Sequence, residues 1–287
     1  MVSTEIISNL KKSSLALGLT KKGTANPILL AGSGFMIDES GFFVSAAHVS
    51  NSVYTIAEKL KKKGTDVDVR IFISQARKDH AEFVSIKVGL GYELRNIEFT
   101  KDDTKIVVDS DIYVGRVLGN EKFPFLKFDE PTKIQILDPV IMCGYPSTSS
   151  SINLHSDDNT RWSPIIQPGI ISSLLPIDES QNPYGIQTDI IGTAGSSGSA
   201  IINADTGVVL GIAQKILPAQ ISIPENTAKI GLTYGISNYF AANSIKHVIT
   251  EIKSEIDENG NPHKGITVNQ PVVLSTENVD LSNVYKD

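Results

Sequence analysis

Thr193-Ala194-Gly195-Ser196-Ser197-Gly198-Ser199-Ala200-Ile201-Ile202-Asn203 joins an unbroken run of small residues to an apolar strand pattern. Such a junction reads as a tight turn that holds one side chain at the mouth of a strand, and Ser197 occupies that place. A serine hydroxyl is a weak nucleophile until a base takes its proton, and the oxyanion formed on attack needs backbone N–H donors aimed at it. Gly195 lets the main chain approach a ligand without a Cβ in the way, so the N–H groups of Gly195 and Ser197 are the candidate donors. Glycine and serine also build ordinary hairpin turns, and residues elsewhere must decide between the two readings.

Working outward, the strand end Phe42-Phe43-Val44 runs into Ser45-Ala46-Ala47-His48-Val49, small residues followed by one histidine. Further on, Asp109-Ser110-Asp111 heads the alternating pattern Ile112-Tyr113-Val114-Gly115-Arg116-Val117. Histidine, acid and serine follow one another in one of the chain orders in which a base, its orienting acid and a nucleophile are found. More blocks accompany them: Gly32-Ser33-Gly34-Phe35-Met36-Ile37 before the histidine, then Pro139-Val140-Ile141-Met142-Cys143-Gly144-Tyr145-Pro146, Gln167-Pro168-Gly169-Ile170-Ile171-Ser172, and Gly207-Val208-Val209-Leu210-Gly211-Ile212 after the serine. On these blocks, from about Ser13 to Ile256, the sequence resembles the trypsin-like (chymotrypsin-fold) serine peptidases. It is most similar to their bacterial HtrA/Deg-like and glutamyl-endopeptidase-like branches.

The resemblance implies an all-β fold of two six-stranded antiparallel β-barrels, with N- and C-terminal helices. It implies a serine endopeptidase acting on protein or peptide substrates, with Ser197 as nucleophile, His48 as base and Asp111 as orienting acid. Gly195 and Ser197 would form the oxyanion hole. Tyr113 stands where the family has a small residue, which leaves Asp109 as the alternative acid. Ile191, six before the nucleophile, would sit at the base of the primary pocket. Ala213, with Gln214 or Lys215 as the alternatives, occupies the place where glutamyl endopeptidases carry a histidine, so cleavage after small or aliphatic residues is expected. The competing expectation is a catalytically silent scaffold that binds proteins, because a fold does not guarantee its usual chemistry.

Composition narrows the field further. Of 287 residues, 40 % are hydrophobic and 20 % charged, with 22 glycines and 13 prolines, which favours many short strands over a helical bundle. A net charge of −6 and a pI near 5.4 argue against a nucleic-acid partner. The lone cysteine, Cys143, cannot form an internal disulfide. No apolar run approaches the ~18 residues of a membrane span, and no signal-like segment leads the chain, so a cytoplasmic protein without membrane contact is expected. Neither His-Glu-x-x-His nor paired cysteines occur, hence no metal or cofactor is implied. Gly32-Ser33-Gly34 lacks the rest of a phosphate loop and reads as close strand packing.

Three regions follow from these patterns. Residues 1–128 hold an N-terminal helix (Val2, Ile6, Ile7 and Leu10 on one face) and the first barrel with His48 and Asp111. Val69 to Ser74, Phe83 to Val88 and a turn at Gly89-Leu90-Gly91 read as an extended hairpin inserted into the first barrel, because the interval from His48 to Asp111 exceeds what the HtrA-like pattern needs. Residues 129–258 hold the second barrel, with Ser197 and a closing helix near Asn238 to Ile256. Residues 259–287 form a tail too short for the peptide-binding PDZ module of many HtrA-like proteins. The resemblance also allows a homo-oligomer contact through the N-terminal helix or a regulatory partner protein. His80, His155 and Trp162 read as surface or packing residues.

Overall fold

The computed structural model describes residues 2–76, 81–101, 104–128, 133–146, 151–153, 160–176, 183–218, 231–263 and 272–274. His80, His155 and most of the tail lie outside them, as do the side chains of residues 160–162, Trp162 included.

Helix α1 (Thr4–Ser13) begins where Ser3 Oγ accepts the Ile6 N–H at 3.1 Å, with Glu5 in its first turn and Lys11 and Lys12 in its last, both signs suiting the helix dipole. It hands the chain directly to β1 (Ser14–Lys21), followed by β2 (Pro27–Met36), β3 (Phe42–Ala46), helix α2 (Ala47–Lys62), β4 (Val67–Ala76), β5 (Ala81–Lys101) and β6 (Thr104–Val117). The antiparallel pairings run β1 to β2, β2 to β3, β3 to β6, β6 to β5, β5 to β4 and β4 back to β1, which closes a ring of six strands.

The second barrel is closed in the order β10-β11-β14-β13-β12-β7. Its strands are β7 (Pro139–Gly144), β10 (Ile165–Leu175), β11 (Gly185–Gly192), β12 (Ala200–Asn203), β13 (Val209–Pro218) and β14 (Gly231–Ser237). The short strands β8 (Ser151–Asn153) and β9 (Thr160–Trp162) pair with each other in a separate two-stranded sheet. The architecture is therefore the two-barrel, chymotrypsin-like one that the sequence implies.

Helix α3 (Asn238–Glu255) leaves the second barrel and crosses to the first. Its Ile245, Val248 and Ile252 are buried with Phe42, Val44, Leu90 and Ile112 of the first ring and Ile141 and Ile202 of the second. One apolar core thus spans both barrels and locks their mutual position, each buried aliphatic side chain contributing ~1.5–3 kcal/mol. Tyr92 of β5 adds a hydrogen bond to Glu255 at the end of α3. Strand β15 (Val272–Leu274) pairs in parallel with Tyr92, Glu93 and Leu94.

One expectation is corrected. Gly89-Leu90-Gly91 is not a hairpin turn but lies inside β5, at a register shift between Val88 and Leu90. These glycines serve packing: a Cβ at Gly91 would overlap the Tyr113 ring and hydroxyl, and one at Gly115 would fall 2.5 Å from Phe43. The large Tyr113, unexpected from the family pattern, occupies the space that these two glycines leave empty.

Candidate active site

His48 is the second residue of α2, placed there because β3 runs into the helix without a loop. The residue before the helix, Ala46, has no side chain able to cap it. Asp111 takes that task from across the first barrel: one carboxylate oxygen accepts the His48 backbone N–H at 2.8 Å and the other meets His48 Nδ1 at 2.6 Å. A single carboxylate therefore caps the helix and fixes the imidazole with Nε2 outward. The aspartate side chain is 11 % exposed and the imidazole 48 %.

A bulge aims Asp111 at the helix. The register between β5 and β6 jumps from Leu94 opposite Ile112 to Asn96 opposite Asp109, so Ser110 and Asp111 together face Arg95. Asp111 takes φ 43°, a left-handed conformation that aspartate tolerates better than most residues. Ser110 Oγ donates to the Leu94 carbonyl at 2.8 Å, and Gln214 of the second barrel donates to the Ser110 carbonyl. Asp109, the alternative acid, points elsewhere and pairs with Lys215 Nζ at 2.6 Å.

The turn that carries Ser197 is held from both barrels. Ser33 N–H donates to the Ser197 carbonyl at 2.8 Å, and Ser33 Oγ donates to the Gly195 carbonyl at 2.7 Å. Ser33 Oγ in turn accepts the Tyr145 N–H at 2.7 Å. On the other side the Gly198 N–H donates to the Ala213 carbonyl at 2.7 Å. Gly195 and Gly198 both have φ near +90° (89° and 88°), and a Cβ at Gly198 would overlap the Ser33 carbonyl oxygen, so only glycine fits there. Among the described residues, no acceptor takes the N–H of Gly195 or of Ser197. These two donors are free for a ligand's oxyanion.

His48, Asp111 and Ser197 line one open cleft of about 670 Å³, together with Asn51, Arg95, Asp109, Gln214, Lys215 and Ile216. Ser197 Oγ donates to the Gln214 carbonyl at 3.2 Å, and no described hydrogen bond joins it to the His48 ring. Hydrogen bonds of this kind often tighten only once a substrate is bound.

The expected pocket residues are placed differently. Ile191 does not line the cleft: strand alternation on β11 turns Ile190 and Gly192 inward and leaves Ile191 54 % exposed on the outer face. Ala213 is buried beneath the Ser197 turn, where its N–H donates to the Ser199 carbonyl and its C=O accepts the Gly198 N–H. The aliphatic side chain of β13 that lines the cleft with Ser197 is Ile216. A Cβ on Gly192 would lie 3.0 Å from Ile216 and 2.9 Å from Thr233 Oγ1, so Ile216 and Thr233 fill the space between β11 and β13. Gln214, the alternative to Ala213, does line the cleft; Ser33, Arg95 and Ile216 were not legible as site residues, because each reads locally as an ordinary strand residue and reaches the site only through the folded barrels.

Residues 32–212, more than half of the sequence, match the family described as the trypsin-like peptidase domain. The chain belongs to the trypsin-like peptidase domain family. No curated protein sequence matches it. Among solved structures, this trypsin-like chain is similar in fold to the HtrA-type protease AlgW with decapeptide, at 17 % identity and TM-score 0.50 over 85 % of its own length; it spans 66 % of the AlgW chain, just under two thirds. The protease domain of MamO from Magnetospirillum magneticum (apo form) is matched at 14 % identity and TM-score 0.49, with 84 % of this chain and 98 % of that one covered.

Proposed function

We propose that this trypsin-like chain is a serine endopeptidase. The observation that carries the reading is the Asp111 carboxylate bound to both the backbone N–H and Nδ1 of His48, in the cleft that Ser197 lines. His48 Nε2 takes the Ser197 hydroxyl proton as Oγ bonds to the scissile carbonyl carbon, and the oxyanion is received by the N–H groups of Gly195 and Ser197. The imidazolium, stabilised by Asp111, then protonates the leaving amine as the C–N bond breaks. Water, deprotonated by the same imidazole, cleaves the acyl-enzyme ester and restores Ser197.

Substrates are proteins or peptides, cleaved after small residues. Ile216 and Thr233 occupy the volume that a long side chain would need, and the neighbouring charges Lys215 and Asp109 are paired with each other, which disfavours Lys, Arg, Asp or Glu before the scissile bond. A fluorophosphonate probe should label the wild-type protein on Ser197, and Ser197→Ala should remove both labelling and cleavage of an unfolded protein. A second reading, a silent scaffold that binds proteins, is favoured by the Ser197 hydroxyl resting on the Gln214 carbonyl. Failure of wild-type protein to take the probe or cleave any substrate would select it.

A further inference from the structure

Beside the His48 helix lies a polar unit that the proton transfers do not use. Glu93 on β5 is fully buried. Burial of a carboxylate is costly unless every oxygen finds a donor. Ser50 Oγ, two residues after His48 on α2, approaches one oxygen at 2.5 Å. Arg95, on the same face of β5, grips the other with Nε at 2.9 Å and Nη2 at 2.6 Å. The inner edge of the guanidinium is thereby fixed, while its side chain remains 49 % exposed and lines the cleft with His48 and Ser197. Nη1 makes no hydrogen bond among the described residues. Asn51, one helical turn after His48, lines the same stretch of cleft, and its amide is likewise without a partner there. The other cation of the cleft, Lys215, is already paired with Asp109.

We infer that Arg95 and Asn51 form a subsite for an acidic side chain of the substrate, at a position other than the one whose side chain meets Ile216. This deepens the peptidase reading and rests on it. A guanidinium pinned by a buried carboxylate presents its open N–H edge already oriented, so little side-chain freedom is lost on capturing a second carboxylate. Such a charge-assisted bond is stronger than its neutral counterpart. Glu93 offsets part of the field, and solvent screens the rest, so the expected preference is modest.

The test is a peptide series that varies one flanking position at a time between Glu and its neutral isostere Gln. One fixed position should favour Glu by about five- to tenfold in kcat/KM, and the advantage should shrink as salt is raised. In Arg95→Gln the Glu/Gln ratio should fall to near one. Asn51→Ala, exposed on the helix surface and so safe for folding, should lower that ratio too, and Glu93→Gln/Arg95→Gln covers the case in which an orphaned Glu93 unfolds the single variant. The same ratio measured as peptide binding to Ser197→Ala makes the result independent of turnover. Cleavage without any acidic preference, or an Arg95→Gln variant that weakens Glu and Gln peptides equally, overturns the subsite while leaving the peptidase reading in place. Absence of cleavage and of probe labelling overturns the peptidase reading, and the Ser197→Ala binding ratio then still decides the subsite.

Discussion

Ser33 is the point at which the first barrel grips the nucleophile turn, and Ser33→Ala isolates that grip. The substitution removes one oxygen and leaves almost no cavity. The Tyr145 N–H loses its acceptor and becomes a buried orphan, and the Gly195 carbonyl loses its donor. The first loss costs ~1–3 kcal/mol and the second, in a part-buried position, up to about 1, for a total of ~1–4 kcal/mol. The Gly195 peptide then pivots more freely, so the oxyanion donor is blurred rather than deleted. Complete removal of such a donor lowers kcat by ~10²–10³, and a loosened one should lower it by ~10–100-fold with KM unchanged. Urea denaturation and steady-state kinetics read the two effects separately. Ser45→Ala is the control, because it loses only the bond from Ser45 Oγ to the Ser33 carbonyl at 2.6 Å, worth ~0.5–1.5 kcal/mol, and leaves the Gly195 carbonyl held. A Ser33→Ala enzyme with wild-type kcat, or with its loss confined to KM, would refute the positioning argument.

Gly198→Ala combines a left-handed backbone with overlap on the Ser33 carbonyl, and should cost at least ~3 kcal/mol, read as a lowered denaturation midpoint. Ile216→Ala should open the space beside Gly192 and Thr233 and raise kcat/KM for peptides with leucine or phenylalanine before the scissile bond by about tenfold or more, measured against an alanine peptide. Burial pushes the Cys143 thiol up to about 11, so native protein should resist iodoacetamide at neutral pH and react only when unfolded. The sign of its pH effect follows: the thiolate is disfavoured in the fold, so this contribution to stability is full below the unfolded thiol value of ~8.5 and is lost as pH rises toward 11. Denaturation midpoints of wild type and Cys143→Ala should therefore converge across that interval.

Local pattern carried a large share of the information. The apolar faces of α1 and α3 follow from helical spacing alone, since the residues of each stripe lie within a few positions of one another. The run of small residues from Thr193 to Ala200 was legible because a turn with left-handed residues demands glycine at particular positions, here Gly195 and Gly198. The two-barrel architecture was legible because strand blocks occur in a family order. What the chain could not disclose was every relation across a distance. Whether Asp109 or Asp111 faces His48 depends on a bulge between β5 and β6, and a bulge is a property of register between two strands, which no single strand encodes. Gly89-Leu90-Gly91 reads locally as a turn, yet it lies within a strand because Leu90 and Gly91 pair with Arg116 and Gly115 of β6, and Gly91 leaves the space that Tyr113 fills. Ile191 and Ala213 were placed by counting from Ser197, whereas the wall beside Ser197 is made by Ile216, where the pairing of β13 with β14 sets the side chain opposite Thr233. The Ser33 clamp, the Gln214 bridge and the Ser50–Glu93 contact join residues brought together by barrel closure and docking, and in the sequence they are ordinary residues of strands and a helix.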